Sequence, residues 1–312
     1  MSEHPTEAAH VTEAAHPTGA AYLADAATEA FLAHRNLLFT VAYELLGSAA
    51  DAEDVLQETW LRWVGVDLTA VRDHRAYLVR IATRQALGRL RTLARRRESY
   101  VGPWLPEPLL TAPDVAEDVE LAESVSMAML LVLETLAPTE RAVFVLREVF
   151  GLEYGEIAEA VDKSQAAVRQ IAHRARVHVA ARRPRGAVSA AEARQAVAAF
   201  QRAVETGDLR TLLDLLAPDV VLVGDGGGLV QATPAPVVGA ELVAGLLRGI
   251  TRRAVSLRAE QVNGHPALVI RLAGEVDTVL ALRLEEGLVT GLYAVRNPEK
   301  LSRMTRETAL GR

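Results

Sequence analysis

Arginine and glutamine crowd one side of the stretch from Ser164 to Arg183, and the chemistry open to them is recognition of anions and base edges. Turned at ~100° per residue, this stretch puts Ala166, Arg169, Gln170, His173, Arg174 and Arg176 together on one side. Val168, Ile171, Ala172, Ala175 and Val179 form an apolar stripe on the other. Between Lys163 and Arg185 there is no acid. Arginine and glutamine make paired hydrogen bonds to guanine and adenine edges, and arginines also position a helix on phosphates. A plain surface helix of an all-α bundle would mix acids among its bases. A second basic stripe, Arg80, Arg84, Arg91 and Arg95, lies within Asp73–Arg97, and such a stripe suits a phosphate backbone.

Other chemistry is thinner. Asp225, Asp277 and His265 are of types that exchange protons, but no acid–base pair can be placed from spacing. Asp225-Gly226-Gly227-Gly228 could cradle an anion through backbone N–H groups, but a loop that contacts the rest of the chain is the favoured reading. His4, His10 and His16 recur every six residues, a spacing that does not gather imidazoles on a helix, so no metal site is assigned. The chain has no cysteine, which removes disulfides, thiolate metal sites and cysteine nucleophiles. No cofactor is called for. The net charge is −6, with 34 basic and 40 acidic residues. That sum argues against a general nucleic-acid coat, while the clustering of bases in 80–97 and 169–185 argues for localised contacts. No apolar run approaches a membrane span and the N-terminus lacks a signal-peptide pattern, so the chain reads as cytoplasmic with no membrane partner.

Elements that would position these residues follow from periodicity and punctuation. Residues 1–27 read as a disordered tail. Helices are expected over Thr28–Leu46, stopped by Gly47, over Asp51–Val64, opened by acids, and over Asp73–Arg97. On the second helix Asp54, Gln57, Glu58 and Leu61 share one face, either solvated or an acidic docking surface. Val101–Pro108 cannot be helix; it reads as a stiff connector with an exposed tryptophan handle, Trp104. A single helix is expected over Leu121–Leu136. Thr139–Phe150, Tyr154–Val161 and the helix opened by Ser164 and ended by Pro184 then make a helix-turn-helix. After helices at Ala190–Gly207 and Leu209–Leu216 the pattern turns to strands at 220–223, 256–262, 267–272, 278–284 and 288–294, with a helix at Glu241–Ile250. That order predicts an α+β domain with an antiparallel sheet.

Ala42–Arg62 (AYELLGSAADAEDVLQETWLR) resembles region 2 of the extracytoplasmic-function sigma factors. Leu136–Arg147 (LAPTERAVFVLR) with the helix-turn-helix resembles their region 4. Trp104-Leu105-Pro106-Glu107-Pro108, Asp225–Gly228 and Asn297-Pro298-Glu299-Lys300-Leu301 resemble motifs of the subgroup with a fused C-terminal SnoaL-like domain. The resemblance runs from about Phe31 to Met304. It implies a multidomain chain: two all-α sigma domains followed by an α+β SnoaL-like cone. Its divisions are 28–100 for region 2, 101–120 for the linker, 121–185 for region 4, 189–304 for the cone and 305–312 for a tail.

The resemblance also implies roles. Asp54, Gln57, Glu58, Trp60 and Leu61 would dock on the β′ clamp helices of core RNA polymerase. Arg80, Arg84, Arg91 and Arg95 would meet the minus-ten element of promoter DNA. Ser164, Gln165, Ala166, Arg169, Gln170, His173, Arg174 and Arg176 would read the minus-thirty-five element, with region 4 on the β flap. Trp104–Pro108, Asp225–Gly228, Asn297, Pro298 and Lys300 would make regulatory contacts between domains. That arrangement needs no separate anti-sigma protein, implies no enzymatic activity, and leaves room for a small-molecule ligand in the C-terminal domain. Departures are Arg84 for an expected Asn, Gly88 for a common Asp, Ala137 for a capping Ser, Asp162 for a turn Gly, and Leu229 for a Lys, which puts an expected salt bridge in doubt. The alternative reading is a ligand-sensing helix-turn-helix repressor, against which the face at Asp54–Trp60 speaks.

Overall fold

A computed structural model describes residues 19–116, 118–183, 188–249 and 255–312. Helices α1 (Gly19–Leu46), α2 (Ala49–Trp63) and α3 (His74–Glu98) form the first unit. Helix α1 begins at Gly19, so the expected disordered tail is too long. The stretch 19–27 is rich in alanine, the best helix former, and Ala27 is buried, its carbonyl accepting the Trp63 indole N–H at 2.8 Å. The histidines at 4, 10 and 16 lie outside the described residues. Helix α2 opens at Ala49 rather than Asp51 because Ser48 caps it, accepting from the Asp51 N–H. Gly88 sits within α3, where an added Cβ would meet nothing within 4 Å.

The second unit is α4 (Val119–Val125), α5 (Met127–Glu134), α6 (Pro138–Phe144), α7 (Tyr154–Val161) and α8 (Gln165–Ala180). The single helix expected over 121–136 is broken at Ser126, which is extended and caps α5 by accepting from Met129 N–H. Helix α6 runs into a π-helical turn, Val145–Val149, rather than continuing as α-helix to Phe150. Helix α8 stops at Ala180, short of Pro184. The turn before it has Asp162 at φ 54°, the left-handed conformation that aspartate tolerates. Both helical units share one apolar cluster, from Phe31, Leu38, Trp63 and Leu78 to Leu133, Phe144, Ile157 and Val168.

The third unit holds α9 (Ala190–Thr206), α10 (Leu209–Leu215), β1 (Leu216–Asp225), β2 (Val237–Val238), α11 (Ala240–Leu247), β3 (Val255–Val262), β4 (His265–Leu272), β5 (Glu275–Glu285), β6 (Leu288–Val295) and α12 (Pro298–Leu301). The strand order is β2-β1-β6-β5-β4-β3. The expected all-antiparallel sheet is instead mixed: β1 and β6 run parallel, Leu222 beside Leu292. The chain leaves β1 and returns to its edge only after β2, α11 and three strands, a crossover long enough for parallel pairing.

Alternation assigns the sheet two apolar faces. Leu268, Ile270, Leu280 and Leu292 pack with Val197, Phe200 and Val243 of the cone's own helices. Ala267, Val269, Val279 and Val295 pack with Leu105 of the linker, Met127 of α5 and Leu301. The C-terminal residues are fastened as well. Thr308 N–H donates to Leu110 O at 2.8 Å, Gly311 N–H to Thr40 Oγ1 at 3.0 Å, and Arg312 pairs with Asp118 and Glu120. Among the described residues no helix is long and apolar enough to cross a membrane, and no cluster of three or more His, Asp or Glu could hold a metal.

Candidate nucleic-acid interface

Helix α8 divides as its sequence requires. Val168, Ala172, Ala175 and Val179 are buried with Ile171 half-buried, while Ala166, Arg169, Gln170, His173, Arg174 and Arg176 are exposed. Ser164 caps it, accepting from Ala167 N–H at 3.2 Å, and Gln165 is exposed beside it. Its bases are loosely tethered: Arg174 lies 3.7 Å from Glu140, Arg176 3.8 Å from Glu148, and Arg169 over the Tyr154 ring. Exposed pairs of this kind contribute little.

The stripe on α3 is not open in the same way. Glu159 of α7 accepts from Arg80 Nη1 at 2.8 Å through its carboxylate and from Arg84 Nη2 at 2.6 Å through its backbone carbonyl. Arg91 is exposed, and the Arg95 side chain lies outside the described residues. Half of the expected basic stripe is therefore covered by the helix-turn-helix unit. Sequence reasoning missed this because Glu159 sits 79 positions from Arg80.

The acidic face of α2 is also partly occupied. Arg89 of α3 donates to Asp51 at 2.6 Å and to Asp54, with Glu58 at 3.9 Å. Gln57 and Leu61 are exposed, Leu61 to 70%, whereas Trp60 is half-buried with its ring edge-on to Phe31 at 5.3 Å.

The 101–109 linker is gripped from both sides, and Trp104 is not the exposed handle expected. Its ring lies between the Arg97 guanidinium, 3.7 Å from the ring centre, and Lys300 Nζ, at 4.4 Å. It also fills the space over Gly47, where an added Cβ would lie 2.7 Å from Trp104 Cη2. Gly47 has φ +66°, so glycine meets both demands. Leu105, Pro106, Glu107 and Pro108 are buried.

Asp225, fully buried at the end of β1, is the hub. Its Oδ1 accepts from Tyr100 Oη at 2.6 Å and Gly227 N at 3.1 Å. Its Oδ2 accepts from Leu105 N at 2.9 Å and Lys300 Nζ at 2.6 Å. Lys300 also donates to Leu105 O at 2.6 Å, and Asn297 donates to Tyr100 Oη at 2.9 Å. Burial pulls the Lys300 ammonium below its ordinary range, opposed by Asp225. Burial, then the bond to Asp225, pushes the Tyr100 phenol up. The salt bridge put in doubt by Leu229 is made by Lys300 instead, and Leu229 is exposed. Gly226 is buried, Gly228 lies against Val101, and Pro298 opens α12 at the surface.

Glu107 faces the other way. Its Oε2 accepts from Ala49 N at 2.8 Å, Ala50 N at 3.3 Å and Ser48 Oγ at 3.2 Å, so the linker caps α2. Burial raises its pKa, against those backbone bonds and Arg303, 3.7 Å away. Asn263, at φ 53° in the β3–β4 turn, donates to Tyr43 Oη at 2.7 Å and Val125 O at 2.9 Å and accepts from Leu109 N at 3.0 Å. A second hub, Glu134 of α5, pairs with Arg97 and, at 2.7 Å, with buried Arg141. These arginines cap the C-terminal carbonyls of α1, Arg141 on Leu45 O and Arg97 on Leu46 O. Tyr100, Arg97, Glu134, Asn263 and Arg303 carry no local pattern that marks them in sequence.

The acid–base set does not assemble. Asp225 is spent on the linker, Asp277 pairs with Arg296 at 2.9 Å, and β1, which ends in Asp225, is separated from β4, which begins with His265, by β6 and β5. A cavity of about 720 Å³ lies at the junction of α4, α5, α9 and the β3–β5 edge, lined by Met127, Val197, Val262, His265 and Leu282 among others.

Residues 30–96 match the family model described as sigma-70 region 2, and residues 126–179 the model described as sigma-70, region 4. The chain is 35% identical over 295 residues to the ECF RNA polymerase sigma factor SigJ of Mycobacterium tuberculosis, covering 87% of this chain and 92% of that one. It is 33% identical over 291 residues to the probable ECF RNA polymerase sigma factor SigI of the same species, covering 92% and 99%. The crystal structure of M. tuberculosis SigJ aligns with a TM-score of 0.72 at 33% identity, over 88% of this chain and 98% of that one.

Proposed function

Since this chain belongs to the extracytoplasmic-function RNA polymerase sigma factors and directs promoter-specific transcription initiation, we propose that its SnoaL-like domain holds the sigma regions in a closed, inactive arrangement. The observation that carries this is the Asp225 carboxylate, bonded at once to Tyr100 at the end of region 2, to Leu105 of the linker and to Lys300. Glu107 extends the same grip onto α2. In this arrangement Arg80 and Arg84 are held by Glu159, so the minus-ten stripe opens only when region 4 moves away.

Region 4 presents Ser164–Arg176 to the minus-thirty-five element, and its bases are free to exchange partners. Region 2 docks on core polymerase through Gln57, Leu61 and the acids Asp54 and Glu58, released from Arg89, with Trp60 supporting them from Phe31. The cis-acting domain takes the place of a separate anti-sigma protein. The domain works by contact, without catalysis, and the cytoplasm is its place of work.

The test is a pull-down of core polymerase with run-off transcription. Asp54→Ala/Glu58→Ala should lower polymerase capture at least tenfold and abolish run-off product. Equal capture by wild type and variant sinks the docking face.

The junction cavity is the place for a regulatory ligand, an apolar small molecule, because its volume lies in the range of ligand sites. Anilinonaphthalene sulfonate should bind the full chain with enhanced fluorescence, and Ala281→Trp, which fills the cavity, should abolish the enhancement. Undiminished fluorescence in that variant rules the site out.

A further inference from the structure

Glu44 is a carboxylic acid buried where no cation reaches it. It lies on α1, 1% exposed, and Ser124 on α4 donates its Oγ–H to Oε1 at 2.7 Å. Oε2 has no hydrogen-bond partner, and Glu44 forms no ion pair among the described residues. A serine hydroxyl has one proton, and Ser124 Oγ also lies 2.9 Å from Leu121 O, which can only accept. That one proton reaches Oε1 or Leu121 O, so at most one carboxylate oxygen has a donor and Oε2 has none. An ionised carboxylate here would be buried and unpaired, a state proteins avoid by binding a proton.

The neighbours do not change this. On α1 Tyr43 is neutral, its phenol pushed up by burial and bonded to Asn263 and Glu107 O. From the linker, Glu107 is turned to the N-terminus of α2. From α4, Glu123 is held by Arg183 and Asp118 by Arg312. From α5 and α6, Glu134 and Arg141 hold each other, and from α3, Arg97 is on Glu134 and Leu46 O.

We infer that Glu44 is a proton-operated lock between region 2 and the helix leading into region 4: docked α1 and α4 require its protonated form, and its ionisation parts them. Burial raises the Glu44 pKa from the ordinary 4.5 to about 8. The closed form therefore binds the proton more tightly than an open form in which Glu44 meets water. Closure from this group is complete below the open-form pKa near 4.5 and is lost as pH rises towards 8, by up to tenfold per pH unit. Above about 8 the group contributes no further change. The signal this device reads is alkalinity, and its output adds to release of the linker.

The chain has no cysteine, so exposed Leu32 on α1 and Val119 on α4 can be changed to cysteine and labelled for energy transfer in the full-length protein. From pH 5.5 to 8.5 the wild type should lose transfer by at least tenfold in the closed-to-open ratio. Glu44→Gln, which matches the protonated acid in shape, should stay closed and flat across that range. Glu44→Met, which needs no partner, guards against a misplaced amide and should be equally flat. Run-off transcription should follow the same curves. A wild type that stays closed throughout, or variants that open with the wild-type pH dependence, overturns the inference.

Discussion

Replacing Asp225 with Ala should free the linker and raise promoter output. The carboxylate serves four donors: Tyr100 at the end of region 2, Leu105 of the linker, the adjoining glycine loop and the Lys300 ammonium. Its loss strands a largely buried ammonium, and breaking a buried pair from one side costs roughly 3–5 kcal/mol. That shifts the closed-to-open ratio by at least about a hundredfold. Trp104, now between Arg97 and Lys300, should meet water, and its emission should move to longer wavelength while Trp63, buried in region 2, keeps its own. Solution scattering should record a larger radius of gyration, and run-off transcription should rise. Asp225→Leu/Lys300→Met, which removes both charges, should recover much of the closed state, since an apolar replacement of a buried pair is often tolerated. Unchanged Trp emission and unchanged output in Asp225→Ala would show that the carboxylate does not hold the linker.

The Glu134→Ala variant should separate the two helical units even with the Asp225 hub intact. Glu134 is the common partner of Arg97 from α3 and Arg141 from α6, and Arg141 is 4% exposed. Without it Arg141 keeps Leu45 O as an acceptor but loses its counter-charge. The cost is again about 3–5 kcal/mol, larger than any surface pair such as Arg80–Glu159 contributes. Urea unfolding should show the loss as a lower midpoint, and amide exchange at the C-terminal turn of α1 should speed up. Glu134→Gln should fall between wild type and Ala. An unaltered midpoint for Glu134→Ala would remove this hub from the account.

In the proposed closed arrangement the two hubs would let a chain with net charge −6 cover part of its basic surface. The bases of α8 face solvent, whereas Arg80 and Arg84 of α3 are covered by Glu159. The covering contacts are exposed and weak, so they follow the hubs and do not set the equilibrium. What holds the closed form is buried: the carboxylates of Asp225, Glu107 and Glu134 reach cations or backbone N–H groups of another unit.

The sequence by itself determined the amphipathic helix α8, the turn before it and the motifs that meet between the domains. Periodicity of 3.6 and 2, the Ser164 cap, and the Pro-rich linker are local signals, and local sterics decide them. Val168 to Val179 pack inward and Arg169 to Arg176 face out because a helix 16 residues long has one apolar stripe to bury. Only the tertiary structure decided what those motifs touch. The parallel pairing of β1 with β6 depends on a crossover that no local spacing reveals. The break at Ser126 depends on α4 turning to meet Glu44 and Asn263. Lys300 pairs with Asp225 across 75 positions, and Trp104 is covered by Arg97 and Gly47 rather than exposed. Buried charges choose partners by distance in the folded chain, where an unpaired charge costs several kcal/mol. Separation along the sequence does not enter that choice.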